Sequence, residues 1–125
     1  MATAGTPFPQ ASDPADPNLV KVVFDLDGRA LYFSRAPIPF PRDAGAARPA
    51  YHLHQGIYAY RRDFLLKFAS WQPTALEQAE KLEQLRALEH GRSIYVLVTD
   101  RQVHGIDTPQ QYAAFVQRFR LATGN

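Results

Sequence analysis

Two short apolar runs flank an Asp-Gly pair, and this pattern restricts what the chain can fold into more than any other feature. The first run covers residues 19–24 and the second covers residues 30–33. Asp-Gly between two such runs is typical of a β-hairpin in which both turn residues adopt positive φ. We therefore expect residues 19–33 to form two antiparallel strands joined at Asp27 and Gly28.

The rest of the chain alternates between strand and helix signals, which is typical of an α/β protein. Residues 51–60 alternate in polarity and residues 93–99 are rich in Ile, Val and Tyr, so both are predicted strands. Residues 5–18 hold four prolines among small and acidic residues, which predicts irregular, extended chain rather than a helix or a central strand. The expected fold class is α/β, with a mixed sheet, a β-hairpin and flanking helices.

Helix-end signals predict three helices. A short helix is expected around residues 63–68. A longer helix over residues 74–90 opens with the capping box of Thr74 and Glu77 and stops before Gly91, which suits the position after a helix C-terminus. The last helix begins at a proline and has one apolar face with the spacing i, i+3, i+4, i+7, formed by Tyr112, Phe115, Val116 and Phe119.

Composition excludes several classes of protein. The chain has no cysteine, which rules out disulfides and thiolate chemistry and suits a reducing cytoplasm. Its longest apolar runs are far shorter than the roughly 20 residues that span a bilayer, so no membrane partner is expected. The net charge is +2 and the basic residues are scattered, so no nucleic-acid partner is expected either.

The same Asp-x-Asp-Gly segment supports an alternative function. After an apolar strand it resembles the nucleophile loop of haloacid-dehalogenase-type phosphatases, with Asp25 attacking phosphorus and Asp27 handling the leaving-group proton. However, Arg29 leads at once into the second apolar run, and no matching acidic pair follows residues 93–99. The hairpin accounts for both aspartates without catalysis, and the phosphatase remains the alternative.

Four ordered segments carry a more specific resemblance: residues 30–39, 54–61, 71–86 and 105–109. In this order they resemble the 3-deoxy-manno-octulosonate cytidylyltransferases, or CMP-Kdo synthetases. These nucleotidyltransferases transfer CMP from CTP to the sugar acid Kdo (3-deoxy-D-manno-octulosonate) for lipopolysaccharide biosynthesis. The resemblance covers almost the whole chain.

The resemblance also implies what is missing. Members of the family begin with a Leu-Pro-Ala-Arg loop that wraps the CTP phosphates, and that loop does not occur here. Residues 1–125 are therefore expected to be the C-terminal sugar-binding and dimerisation half of a Rossmann-like nucleotide-diphospho-sugar transferase fold, without its CTP-binding half. We expect a cytoplasmic homodimer that is inactive as this chain alone. The alternative is a non-catalytic interaction module that pairs with a full-length subunit.

Three residues of the expected Kdo site have chemistry that suits a sugar acid. The guanidinium fork of Arg35 matches a carboxylate. Taken alone, Arg35 would be explained as a surface cation on a loop, but its position next to Ser34 and ahead of a rigid Pro-x-Pro segment favours binding. His54 and Tyr58 correspond to family positions in the Kdo pocket, as donors directed at hydroxyls, although either could be structural. His52 and His54 also form a His-x-His pair suited to zinc, but no cysteine or third histidine is nearby.

Glu83 and Gln84 complete the expected Kdo site. Glu83 follows Leu76 by seven residues and Ala79 by four, so a continuous helix would place its carboxylate on a core-facing line that demands a partner or a pocket. A salt bridge to a lysine or an arginine would satisfy it. The resemblance implies instead that the Glu-Gln pair binds the hydroxyls of the sugar.

Asp107 is the one expected metal ligand. It precedes the last helix, where an acidic residue is an ordinary cap. The resemblance implies that it helps to hold the catalytic Mg²⁺, a hard cation that prefers carboxylate oxygen. The family pairs this residue with a second aspartate that is not in this chain.

Overall fold

The computed structural model describes residues 1–43, 49–100 and 109–123. They form five strands and four helices, and the order along the chain mixes the two as the sequence predicts. The elements are β1 (Ala2–Pro7), β2 (Lys21–Phe24), β3 (Ala30–Ser34), β4 (His52–Ala59), α1 (Arg62–Ser70), α2 (Ala75–Glu80), α3 (Gln84–Glu89), β5 (Tyr95–Val98) and α4 (Pro109–Thr123).

The strands form one mixed sheet in the order β3-β2-β4-β1-β5. β1 runs antiparallel to β4 and parallel to β5, and β2 is antiparallel to both β3 and β4. The core packs against this sheet and is apolar, with Val22, Phe33, Leu85 and Ile94 almost fully buried. The α/β class and the mixed sheet are therefore confirmed.

The β2–β3 hairpin is confirmed, but its turn differs from the predicted one. Asp25 donates its N–H to the Arg29 carbonyl (2.8 Å), and Gly28 donates its N–H to the Asp25 carbonyl (3.0 Å). Gly28 has φ of +78°, whereas Asp27 does not have positive φ. The loop therefore has three residues and ends in a left-handed glycine, so the prediction of positive φ at Asp27 was wrong.

Asp25 and Asp27 stabilise this loop. The Asp25 carboxylate accepts hydrogen bonds from the backbone N–H groups of Asp27 (3.0 Å) and Arg29 (2.8 Å). The Arg29 side chain forms ion pairs with both carboxylates, at 3.0 and 2.9 Å. The backbone N–H of Arg29, helped by its side chain, lowers the pKa of Asp25. The turn thus accounts for both aspartates, and nothing in the loop favours the phosphatase alternative.

The prediction for residues 5–18 was wrong at its start. Residues 5–7 belong to β1, which lies between β4 and β5, while residues 8–18 are irregular as expected. The small residues of β1 have low strand propensity, so the strand could not be recognised from composition, but one of them suits the packing. A Cβ at Gly5 would lie 3.2 Å from Cγ1 of Val96 on β5, so the close approach of the strands favours glycine.

The predicted helix over residues 74–90 is two helices. Glu77 accepts a hydrogen bond from the backbone N–H of Thr74 (3.1 Å), and Gly91 has φ of +67° after the last turn, so both predicted ends are confirmed. Between them Lys81 adopts the left-handed conformation and ends α2. This break moves Glu83 off the core-facing line, and its side chain is 65% exposed, contrary to prediction.

The last helix begins at Pro109 as predicted, but its apolar face is exposed within the described part of the chain. Tyr112 and Phe115 are 60% and 41% exposed, and Leu121 is 85% exposed. Among the described residues, no helix is long and apolar enough to cross a membrane.

A nearly buried ion pair joins α2 to α3 and provides a test of the packing. The side chains of Arg86 and Glu77 are only 10% and 12% exposed, and the guanidinium also lies 5.0 Å from the centre of the Phe68 ring. Because Arg86→Met leaves a buried carboxylate uncompensated, we expect it to lower the free energy of unfolding by about 3 kcal/mol in urea denaturation. The matched control is Arg61→Met, whose ion pair with Asp63 is exposed and should contribute less than about 1 kcal/mol. Equal effects of the two substitutions would contradict this assignment.

Candidate functional site

Three of the predicted site residues, Arg35, Glu83 and Gln84, lie near the point where β3 ends and α2 meets α3. The carboxylate of Glu80, at the end of α2, connects the two elements. It accepts hydrogen bonds from the Ser34 hydroxyl (2.6 Å) and from the Arg35 backbone N–H (2.9 Å). Ser34 is buried, so the contact is shielded from water. The end of β3 is therefore fixed to the end of α2, close to Glu83 and Gln84 in the chain.

The Arg35 side chain reinforces the same junction. Its guanidinium donates to the carbonyls of Glu80 (2.7 Å), Lys81 (3.3 Å) and Pro17 (2.7 Å). An arginine has five N–H donors, so these contacts leave two for a ligand. The side chain is thus neither a free fork nor a simple surface cation. It connects the end of β3 to α2 and to the segment at Pro17, and it can still bind an anion through its two remaining donors.

Lys21 also supports the Arg35 segment, and none of the motifs in the sequence marks it as a site residue. Its side chain is fully buried, and its ammonium donates to the carbonyls of Asp16, Leu19 and Arg35. Burial lowers the pKa of this lysine, while the charges of Asp16 and Glu80 act in the opposite direction. The available signal was a lysine inside an otherwise apolar strand, which calls for several acceptors.

On β4, His54 and Tyr58 lie side by side. Their ring centres are 5.4 Å apart, and the His54 ring meets the edge of Phe33 at 4.9 Å. The Nε2 atom of His54 is 2.9 Å from the hydroxyl of Thr3 on β1. Burial lowers the pKa of His54 to about 4, so the ring is neutral at pH 7. This part of the site is apolar around a few fixed polar atoms.

Glu83 and Gln84 lie at the start of α3 and have opposite environments. Gln84 is 5% exposed, and its Nε2 atom is buried with no hydrogen-bond partner among the described residues. Glu83 is exposed and forms an ion pair with Arg86 at 3.3 Å, so the predicted salt-bridge alternative is confirmed. Burial raises the pKa of Tyr58, and the charges of Tyr60 and Glu83 raise it further.

The structure thus places the five described site residues in two groups. Arg35 lies at the α2–α3 junction that leads to Glu83 and Gln84. His54 and Tyr58 lie together on β4, and the His54 ring contacts Phe33, two residues before Arg35. Asp107 lies outside the described residues. In the described ranges no group of three histidine or acidic side chains could hold a metal ion, so the His52–His54 pair finds no third ligand there. The region can offer hydrogen-bond donors and acceptors to a polar ligand.

The low pKa of His54 makes stability depend on pH. The ordinary pKa is 6.5 and the folded value is about 4, so between these values the unfolded chain binds the extra proton and stability falls as the pH falls. We expect His54 to lower the free energy of unfolding by about 2 kcal/mol between pH 7 and pH 5, measured by urea denaturation. His54→Gln should remove that part of the pH dependence. His90→Gln, at an exposed position on α3's end, should leave it in place, and an unchanged profile in His54→Gln would contradict the assignment.

Comparison with known proteins matches the chain to one family. The family model described as cytidylyltransferase matches residues 1–94. A 3-deoxy-manno-octulosonate cytidylyltransferase of Leptospira biflexa is 49% identical over 120 residues, covering 96% of this chain and 48% of the relative. One from Syntrophobacter fumaroxidans is 52% identical over 116 residues, covering 93% of this chain and 46% of the relative.

A solved structure agrees with these matches. It is that of CMP:2-keto-3-deoxy-manno-octonic acid synthetase complexed with CTP, with a TM-score of 0.80 and 41% identity over 98% of this chain and 48% of that chain. The expected nucleotidyltransferase fold is thereby confirmed. The chain spans about half the length of the curated relatives it matches. On the matching family model, the relatives and the shared fold, the chain belongs to the cytidylyltransferase family.

Proposed function

We propose that this chain provides the Kdo-binding half of a CMP-Kdo synthetase, which transfers CMP from CTP to Kdo in lipopolysaccharide biosynthesis. The observation that carries the proposal is the buried amide of Gln84, whose Nε2 has no partner among the described residues. Leaving such a donor unpaired costs about 1–3 kcal/mol, which favours a ligand that completes it. A sugar hydroxyl is an acceptor of the required kind.

The surrounding groups suit the other parts of a sugar acid. The two remaining N–H donors of Arg35 would bind the carboxylate of Kdo, at a guanidinium already immobilised by three carbonyls. Tyr58 keeps its proton because burial raises its pKa, so its hydroxyl can donate to the ligand. The exposed carboxylate of Glu83 would accept from sugar hydroxyls while it stays paired with Arg86. Binding and orientation are the tasks of these residues.

Asp107 is the proposed Mg²⁺ ligand of this chain. A carboxylate oxygen is the donor that this cation prefers, and the described residues hold no acidic cluster that would compete for it. When bound, Mg²⁺ would neutralise charge on the nucleotide phosphates. Its further ligands and the CTP contacts would come from the half of the family fold that this chain does not match. We also propose that the complete assembly is a cytoplasmic homodimer.

The binding proposal is tested with Kdo itself. We expect the chain to bind Kdo in calorimetric titration, and Gln84→Leu to weaken the affinity roughly tenfold because one buried hydrogen bond to the sugar is lost. Gln78→Leu makes the same substitution at an exposed position on α2 and should leave the affinity unchanged. Equal affinities of the Gln84 variant and the unaltered chain would contradict the proposal.

The proposal that catalysis needs the other half is tested separately. Because nucleotidyl transfer depends on positioning both substrates and on neutralising phosphate charge, the chain alone should form no CMP-Kdo from CTP, Kdo and Mg²⁺. Product is measured by chromatography, with a full-length relative as the positive control. Substantial CMP-Kdo formation by this chain would refute the requirement.

A further inference from the structure

We propose that Thr3 is a positioning residue that fixes the tautomer of His54, so that the ring presents its Nδ1 atom to the ligand as a hydrogen-bond acceptor. This inference rests on the proposed function for the identity of the ligand. It assigns a role to a residue on β1, outside the segments that suggested the site, and it replaces the predicted donor role of His54 by an acceptor role.

The direction of the hydrogen bonds around Thr3 determines the tautomer. The Thr3 hydroxyl oxygen is 2.6 Å from the carbonyl oxygen of Ile57 and 2.9 Å from Nε2 of His54. A carbonyl oxygen can only accept, and a threonine hydroxyl has one hydrogen, so that hydrogen points to Ile57. In the contact with His54, Nε2 must therefore carry the proton and donate a hydrogen bond to the Thr3 oxygen.

The remaining nitrogen of the ring is therefore without a proton. A neutral imidazole has one N–H, so Nδ1 carries a lone pair. Burial keeps His54 neutral at pH 7, and the described residues provide no hydrogen bond to Nδ1. A hydroxyl of a ligand can donate to this atom, whereas a carboxylate would meet lone pair against lone pair. The ring thus selects a sugar hydroxyl and leaves the acid group to Arg35.

The ring is held in place on several sides, so its orientation is not left to the ligand. The His54 backbone N–H donates to the Val20 carbonyl at 2.8 Å, which fixes β4 to the start of β2. The Phe33 ring packs against the imidazole in a T-shaped arrangement with an interplanar angle of 69°, and the centre of the Tyr58 ring lies 5.4 Å from that of His54. Thr3 is 5% exposed, so water does not compete strongly for its hydroxyl.

Nitrogen NMR of the histidine rings tests the tautomer directly. In the unaltered chain labelled with ¹⁵N-histidine at pH 7.5, we expect Nε2 of His54 to show the shift of a protonated nitrogen and Nδ1 that of an unprotonated one. The reverse assignment would overturn the proposal, and this measurement needs no variant.

Thr3→Val keeps the side-chain shape but cannot accept a hydrogen bond from Nε2 of His54, so the ring should become a mixture of tautomers. Thr3→Ser should restore the single tautomer, and a single unchanged tautomer in Thr3→Val would also overturn the proposal.

Titration with Kdo tests the consequence for binding. Thr3→Val should weaken the affinity roughly tenfold, because part of the population presents an N–H where the sugar hydroxyl must donate, and Thr3→Ser should retain the affinity. Unchanged affinity in Thr3→Val would refute the acceptor role. If the unaltered chain shows the expected tautomer but does not bind Kdo, the proposed function fails while the role of Thr3 in fixing the tautomer stands.

Discussion

The Glu80 carboxylate accepts hydrogen bonds from the Ser34 hydroxyl and the Arg35 backbone N–H, while the Arg35 side chain donates back to the Glu80 carbonyl. These reciprocal contacts join residues 45 or more positions apart in the chain. They attach the end of β3 to the α2–α3 junction. They fix the position of Arg35 relative to the helix ends that precede Glu83 and Gln84.

The break in the helix at Lys81 and the contacts of the Arg35 side chain depend on each other. A helix that ends leaves its last carbonyls without intrahelical partners, and here the Glu80 and Lys81 carbonyls accept from the Arg35 guanidinium. A cation at a helix C-terminus is also favourable for the helix dipole. The left-handed residue then redirects the chain so that Gln84 is buried and Glu83 is exposed. One backbone conformation therefore gives two neighbouring polar residues different roles.

The local features of the fold could be predicted from sequence because their causes lie within a few residues. The Asp-Gly hairpin, the Glu77 capping contact and the glycine after α3 are of this kind. Two of the errors, the missed break at Lys81 and the missed strand β1, have a common origin. The left-handed Lys81 is stabilised by Arg35, which follows β3, and the small residues of β1 form a strand because they pair with β4 and β5. Neither feature has a local signal in the sequence.

In the candidate site, too, the sequence predicts which residues take part but not the contacts they make with residues distant in the chain. The site's five described residues could be named because ordered motifs resemble one family, yet their actual partners could not. The contacts of Thr3 with His54 and of Lys21 with Arg35 cross between strands, and the direction of each hydrogen bond depends on atoms that are distant in sequence. The sequence predicts that Arg35 binds the carboxylate of the ligand, but it does not predict that three of its donors bind backbone carbonyls.

The central claim is that the Glu80 carboxylate holds the site together, and residue-by-residue amide hydrogen exchange tests it most directly. In Glu80→Leu the Arg35 backbone N–H loses its acceptor, so we predict that it exchanges about tenfold faster or more. The amides that pair β1 with β4 should keep their protection, which shows that the sheet remains folded. Unchanged exchange at Arg35 in that variant would contradict the claim.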